Sequence, residues 1–196
     1  MLSKLDAAIL LIQRALHVDI QADYVLMDFW ITTEPMLVQI LACGIDAIGM
    51  VKQRYTYHGK NYTLPELRKF VRFESGKNIF GSVMVMTKTG IPVKIVIVRN
   101  RNKKSECLYL LSTDCNLSDA EIVRIYGNRW SIECFFKASK SLLKLGTEFR
   151  SRSYDAIVSH TAIVFTRYTG LEWIRRNRND QKTYGELFFM FCEYSG

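Results

Sequence analysis

Residues 24–30, YVLMDFW, are an apolar, β-prone run that ends in one acid and two aromatics. Such a run reads as a buried strand whose C-terminal end presents Asp28, and open α/β sheets place their ligand sites at that end of their strands. Upstream, SKLDAAILLIQRALH (3–17) sets Leu5, Ile9, Ile12 and Leu16 at helical spacing, with Ser3 as the N-cap. Downstream, a shorter helix starts near Thr33, with Glu34 and Pro35 in its first turn. Helix, strand and helix in succession predict an α/β (α+β) core over residues 1–45.

The next stretch changes character. DAIGMV (46–51), FGSVMVM (80–86), VKIVIVR (93–99) and CLYLLST (107–113) are strand-like, with a turn at Lys88-Thr89-Gly90 and a helix over LPELRKFVRF (64–73). Residues 46–117 are therefore expected to form a mostly β insertion. Ser118-Asp119-Ala120-Glu121 resembles a capping box and opens a helical part, 118–196. Its first helix is expected to run to about Leu145, with Gly127 a weak point costing about 1 kcal/mol against Ala. Two more helices are expected over 153–178 and 183–194.

Composition narrows the function. Hydrophobic residues make up 48% and charged residues 23%, as in an ordinary globular domain. No run of about 18 apolar residues offers a membrane span, and the N-terminus lacks the pattern of a signal peptide, so a cytoplasmic protein is expected. The five cysteines are widely spaced and read as reduced core residues. With no CxxC pair and three scattered histidines, neither a zinc cage nor a Ser/His/Asp triad has support. The net charge of +8 favours a polyanionic partner such as nucleic acid.

The segment YGNRWSIECFFKASK (126–140) carries the chemistry. On one helix at about 100° per residue, Tyr126, Arg129, Glu133 and Lys140 fall within an arc of roughly 60°. Lys137 and Lys144 join that stripe, while Ile132, Phe135 and Leu142 take the opposite, core-facing side. A solvated face with Glu133 supporting Lys137 at i,i+4 would give the same pattern. Large aromatics beside a cationic row, Tyr126 and Trp130, suit phosphate contacts combined with base stacking instead.

Tyr126-x2-Arg129-x3-Glu133-x6-Lys140 resembles the signature of the insertion-sequence-four family of bacterial transposases, which are DDE enzymes. YVLMDFWITTEP (24–35) is similar to that family's earlier block, in which the second catalytic aspartate ends a strand. The resemblance implies an RNase H-like core with three acids around two Mg²⁺ (or Mn²⁺) ions. Asp28 then matches the second Asp and Glu133 the Glu, both as metal ligands. Tyr126, Arg129 and Lys140 match positions that grip the transposon end, with Lys137, Lys144 and Trp130 beside them. The implied partners are transposon-end double-stranded DNA and a second transposase chain, met at the bacterial nucleoid.

The family's first aspartate lies upstream of the helix that begins here near Ser3. Asp6, Asp19 and Asp23 are not convincing substitutes, so the core is expected to lack its first strands, whether as a fragment or as a decayed or split gene product. The insertion contains no tryptophan, which leaves Tyr55 or Tyr57 for any base stacking there. Two other classes fit the same residues: a non-catalytic DNA-binding or inhibitory module, and a basic structural domain.

Overall fold

The computed structural model describes residues 3–52, 54–71, 78–100, 103, 106–146, 151–177 and 182–193. The chain forms two compact units, Met1–Arg129 and Trp130–Gly196.

The first unit opens with α1 (Lys4–His17). The Ser3 hydroxyl accepts from the Asp6 N–H, and the Asp6 carboxylate accepts from the Ser3 N–H and hydroxyl, which closes a capping box. β1 (Tyr24–Met27) follows, so Asp28 is the residue immediately after a strand. Next come α2 (Glu34–Ala42, Pro35 in its first turn), β2 (Asp46–Met50), β3 (Arg54–Tyr57) and β4 (Lys60–Thr63). α3 (Leu64–Leu67) continues as a 3₁₀ turn, Arg68–Phe70, and Val71 is extended. The expected helix over 64–73 is thus short, and its last two residues lie outside the described ones. β5 (Ile79–Met86), β6 (Pro92–Arg99), β7 (Cys107–Ser112) and α4 (Asp119–Gly127) complete the unit.

All seven strands join one sheet, in the order β1-β2-β7-β6-β5-β3-β4. The strands of the β-rich stretch therefore extend the sheet of the strand that presents Asp28, with β2 as its hydrogen-bonded neighbour. β1 and β2 run parallel, connected through α2, and the other pairings are antiparallel. The β3–β4 hairpin was not legible in the sequence. Its two-residue loop is His58-Gly59, with φ of 47° and 75°. That loop needs positive φ at both positions, and His-Gly is not the usual Asn-Gly signal.

VKIVIVR shows why the sheet's centre reads as a continuous apolar run. Val93 and Ile95 pack on the face carrying Ile9 of α1, Leu37 of α2 and Leu67 of α3. Val96 packs on the other face, with Ile48, Leu110 and Ile122 of α4. Both faces are covered, so strict alternation with polar residues is lost. Lys94 is the exception: its ammonium donates to the Leu117 carbonyl at 2.7 Å and pairs with Asp119 at 3.1 Å, tying the start of α4 to the sheet.

The second unit contains α5 (Trp130–Ser141), α6 (Tyr154–Asn177) and α7 (Tyr184–Glu193). Leu143, Val164, Leu171 and Leu187 form its small core. Phe135 packs edge-on against Phe165 and Tyr168, with ring centroids 4.9 and 4.7 Å apart.

Two expectations need correction. The helix expected from Ser118 to about Leu145 is two helices, because the backbone tightens at Asn128 and Arg129. Their N–H groups bond the carbonyls of Ile125 and Tyr126, three residues back, each at 3.0 Å. A glycine followed by an asparagine is a weak place in a helix. The cysteines Cys43, Cys107, Cys115 and Cys134 are free but half-buried rather than core, and Cys192 lies outside the described side chains.

Candidate functional site

Asp28 is held by its own turn. Its carbonyl accepts from the N–H groups of Ile31 and Thr32, both at 3.0 Å, and from the Thr32 hydroxyl at 2.8 Å. One carboxylate oxygen accepts from the Phe29 N–H at 2.6 Å. The turn fits because Gly49 lies beside it, in register with Met27 across the parallel pair. A Cβ at Gly49 would sit 2.3 Å from the Thr32 hydroxyl oxygen, so only glycine allows Thr32 to bury itself there, 2% exposed. At the start of α2, Glu34 accepts from the N–H and hydroxyl of Thr89. Burial raises its carboxyl, but the Thr87 and Thr89 hydrogen bonds outweigh that and hold it below its ordinary range.

The two ends of the sheet differ in charge. At the starting end of β1 and β2, Asp46 accepts from the Thr113 hydroxyl and Asp114 from the Tyr24 hydroxyl. Burial first, then Asp114 and the neighbouring acids, push the Tyr24 phenol up to about 12. At the Asp28 end lies a cleft of about 810 Å³, lined by Phe29, Lys52, Arg54, Asn100, Lys103 and Tyr109 among others. The Lys52 ammonium sits 3.8 Å from the centroid of the Phe29 ring, and Phe29 packs on Trp30 with centroids 4.7 Å apart. Trp30 is 76% exposed.

The expected stripe is divided. Tyr126 is half-buried against the α4 side of the sheet, and the Arg129 guanidinium lies 5.7 Å from its ring centroid. Both belong to the first unit, whereas Trp130, Glu133, Lys137 and Lys140 belong to α5 of the second. On α5 the spacing of Glu133, Lys137 and Lys140 keeps them on one exposed face. Lys144 leaves the stripe: it follows the end of α5 with φ of 60°. Phe135 and Leu142 pack in the small core as expected, but Ile132 is 52% exposed. Asp28 falls in the first unit and Glu133 in the second.

Among the described residues no three His, Cys, Asp or Glu side chains gather to hold a metal ion. The described residues therefore show no ready divalent-cation cage, since Mg²⁺ needs several oxygen ligands in octahedral geometry. Tyr55 is 4% exposed inside the core, which removes it as a base-stacking residue, and Tyr57 is half-buried against Tyr62 and Phe70. Sequence reasoning missed the cations Lys52 and Arg54. No local pattern marks them, since β2, which they follow, lies beside β1 only once the sheet pairing is known.

Residues 76–161 match the family model for the archaeal putative transposase ISC1217, a DDE transposase model. The match spans β5 to the first turns of α6 and includes Tyr126, Arg129, Glu133 and Lys140. A piggyBac transposase, solved as a synaptic complex with hairpin DNA, shares the fold with a TM-score of 0.52 at 12% identity. The alignment covers 93% of this chain and 38% of that one, so the chain spans well under half the length of that transposase. No curated protein gives a sequence match. Both comparisons are with transposases, the family model over less than half of this chain and the solved structure in fold alone. Among the described residues no helix is long and apolar enough to cross a membrane.

Proposed function

We propose that this chain is part of the RNase H-like catalytic domain of a DDE transposase that cuts and joins DNA at insertion-sequence ends. The observation that carries the reading is Asp28, fixed by hydrogen bonds at the C-terminal end of a parallel strand pair. Its support is a transposase match over the segment that carries the Tyr126-Arg129-Glu133-Lys140 pattern. In this reading the family is the insertion-sequence-four type, and Asp28 and Glu133 each offer a carboxylate as a ligand for divalent ions, Mg²⁺ or Mn²⁺. The ions supply Lewis acidity and an activated oxygen nucleophile for in-line displacement at phosphorus. The chain's own part is positional. The Phe29 N–H and Thr32 hydroxyl orient Asp28, while Arg129, Lys137, Lys140, Lys144, Tyr126 and Trp130 engage the DNA backbone and bases of the transposon end.

Two carboxylates hold one ion well but not a pair. The 196-residue chain alone is therefore expected to bind DNA without cutting it. The test is a nicking assay with Mg²⁺ or Mn²⁺ on DNA carrying the element's ends, using the chain, the product of any longer reading frame that contains it, and Asp28→Ala and Glu133→Gln variants of each. Cleavage by the longer product, lost by at least a thousandfold in both variants, is the expected result. Cleavage that survives Asp28→Ala and Glu133→Gln removes the catalytic reading. DNA binding with no cleavage by any form leaves a DNA-binding module of transposase fold.

A further inference from the structure

A single exposed tryptophan means little on a protein surface. Trp30 is not isolated. The turn fixed by the Asp28 carbonyl displays it two residues after that acid, and Phe29 backs it at 4.7 Å. Phe29 is in turn covered by the Lys52 ammonium at 3.8 Å and lines the cleft of about 810 Å³. Pockets for a small ligand run roughly 300–1,000 Å³, so this cleft has room for a nucleotide or two. Lys52, Arg54 and Lys103 line it against one acid, Glu106, which is already paired with Lys103 at 3.1 Å. Glu66, an acid that feels the charge of Arg54, is taken up by the Thr63 N–H and hydroxyl, both at 2.7 Å.

We infer that this cleft and the Phe29–Trp30 pair bind an unpaired, single-stranded DNA segment beside Asp28. Lys52 and Arg54 contact successive phosphates, and a base stacks on the open face of Trp30. Single-strand sites elsewhere combine the same two parts, a positive groove for the backbone and aromatic rings for the bases. A purely duplex site has no use for an exposed ring, since duplex bases are already stacked on each other. A small anionic metabolite would be enclosed, whereas here the Trp30 ring is 76% exposed and packs on Phe29, which lines the cleft. That the polymer is DNA rests on the transposase reading; the single-strand preference rests on the cleft alone.

Fluorescence anisotropy in EDTA, which removes divalent ions and hence cleavage, tests the inference on the whole chain. The probes are a labelled oligothymidylate of about 20 nucleotides and a blunt duplex of equal length. Trp30→Ala should weaken oligothymidylate binding about 5- to 100-fold, while blunt-duplex affinity changes less than twofold. Trp30→Phe should restore most of the loss, because a ring still stacks. Lys52→Gln and Arg54→Gln should each lower the salt slope for the single strand by about 0.7. Equal losses on both probes, or no loss with Trp30→Ala, would overturn the proposal. The nicking assay reports separately: cleavage with no Trp30 effect leaves the transposase reading standing and this one fallen. A Trp30 effect with no cleavage by any form of the protein leaves this inference standing and removes the catalytic reading.

Discussion

In the first unit, Ile48, Val93, Ile95, Val96 and Leu111 are 0% exposed, and helices cover both faces of their sheet. In the second, the long α6 buries only Val164 and Leu171, while Ile157, Ile163, Phe165 and Trp173 on the same helix are 40–66% exposed. The sheet unit is held by volume filling. The helical unit relies on a few aromatic contacts and on a polar knot around Glu172. Each carries one of the two proposed carboxylates: Asp28 sits where packing sets its position, and Glu133 on a wet helix face. Rigid placement and adaptable placement are thus divided between them.

The largest effect should come from removing core volume. Leu111→Ala deletes a fully buried side chain of the sheet and should cost about 3–5 kcal/mol. Leu171→Ala, 7% exposed with half-buried neighbours free to close in, should cost nearer 2 kcal/mol. Urea unfolding followed by probes in each unit measures both. If Leu171→Ala proves as costly as Leu111→Ala, the second core is tighter than its exposure pattern implies.

Glycines sharpen the contrast, because one substitution should act with opposite sign in the two units. Gly49→Ala would press a methyl to 2.3 Å from the Thr32 hydroxyl oxygen and 2.7 Å from its methyl, and both belong to a short, buried, stiff side chain. A loss of about 2–3 kcal/mol is expected. The double variant with Thr32→Ala should recover at least half of it, since the colliding atoms are gone. Gly170 lies within α6 with nothing within 4 Å of an added Cβ, so Gly170→Ala should stabilise by about 0.5–1 kcal/mol. Thermal unfolding of the three variants decides this, and a destabilising Gly170→Ala would refute the open-helix picture.

Much of this was legible in the residues, for identifiable reasons. β1 and Asp28, the N-cap at Ser3, the capping box at Ser118, and the central strands all announce themselves through local pattern. The β3–β4 hairpin did not, because its His58-Gly59 turn depends on a histidine held at positive φ by the surrounding fold. The helix break at Asn128 was visible only as a weak glycine. The cleft beside Asp28 was not legible at all, since Phe29, Lys52 and Lys103 come together only once the sheet order is known. The same holds for Gly49, whose necessity comes from Thr32, a residue seventeen positions earlier.

The smallest expected effect concerns acid. Glu172 accepts from Arg175 through two nitrogens at 3.0 and 3.1 Å, from the Arg176 Nε at 2.6 Å, and from the Tyr184 hydroxyl. The Tyr168 hydroxyl donates to that of Tyr184 at 3.1 Å, which links α6 to the start of α7. The Arg175 hydrogen bonds, opposed by burial and helped by Tyr184 and Arg176, lower the Glu172 pKa from 4.5 to about 2. A carboxyl depressed in the folded state stabilises fully above its unfolded pKa, and that contribution fades as pH falls toward the folded value. The window is therefore about pH 4.5 down to 2. Because the Arg176 and Arg175 side chains are 73% and 39% exposed, solvent screening reduces the loss to about 1–2 kcal/mol. The centre of the first unit's sheet is held by apolar packing on both faces, so it should respond less over the same range. Hydrogen exchange at pH 6 and pH 3 resolves the two: α7 amides should lose protection, after correction for intrinsic rates, while β6 and β7 amides keep theirs. Glu172→Gln keeps the shape but abolishes the titration, and should make α7 protection both lower and independent of pH. Persistent pH dependence in that variant would locate the acid-sensitive group elsewhere in the second unit.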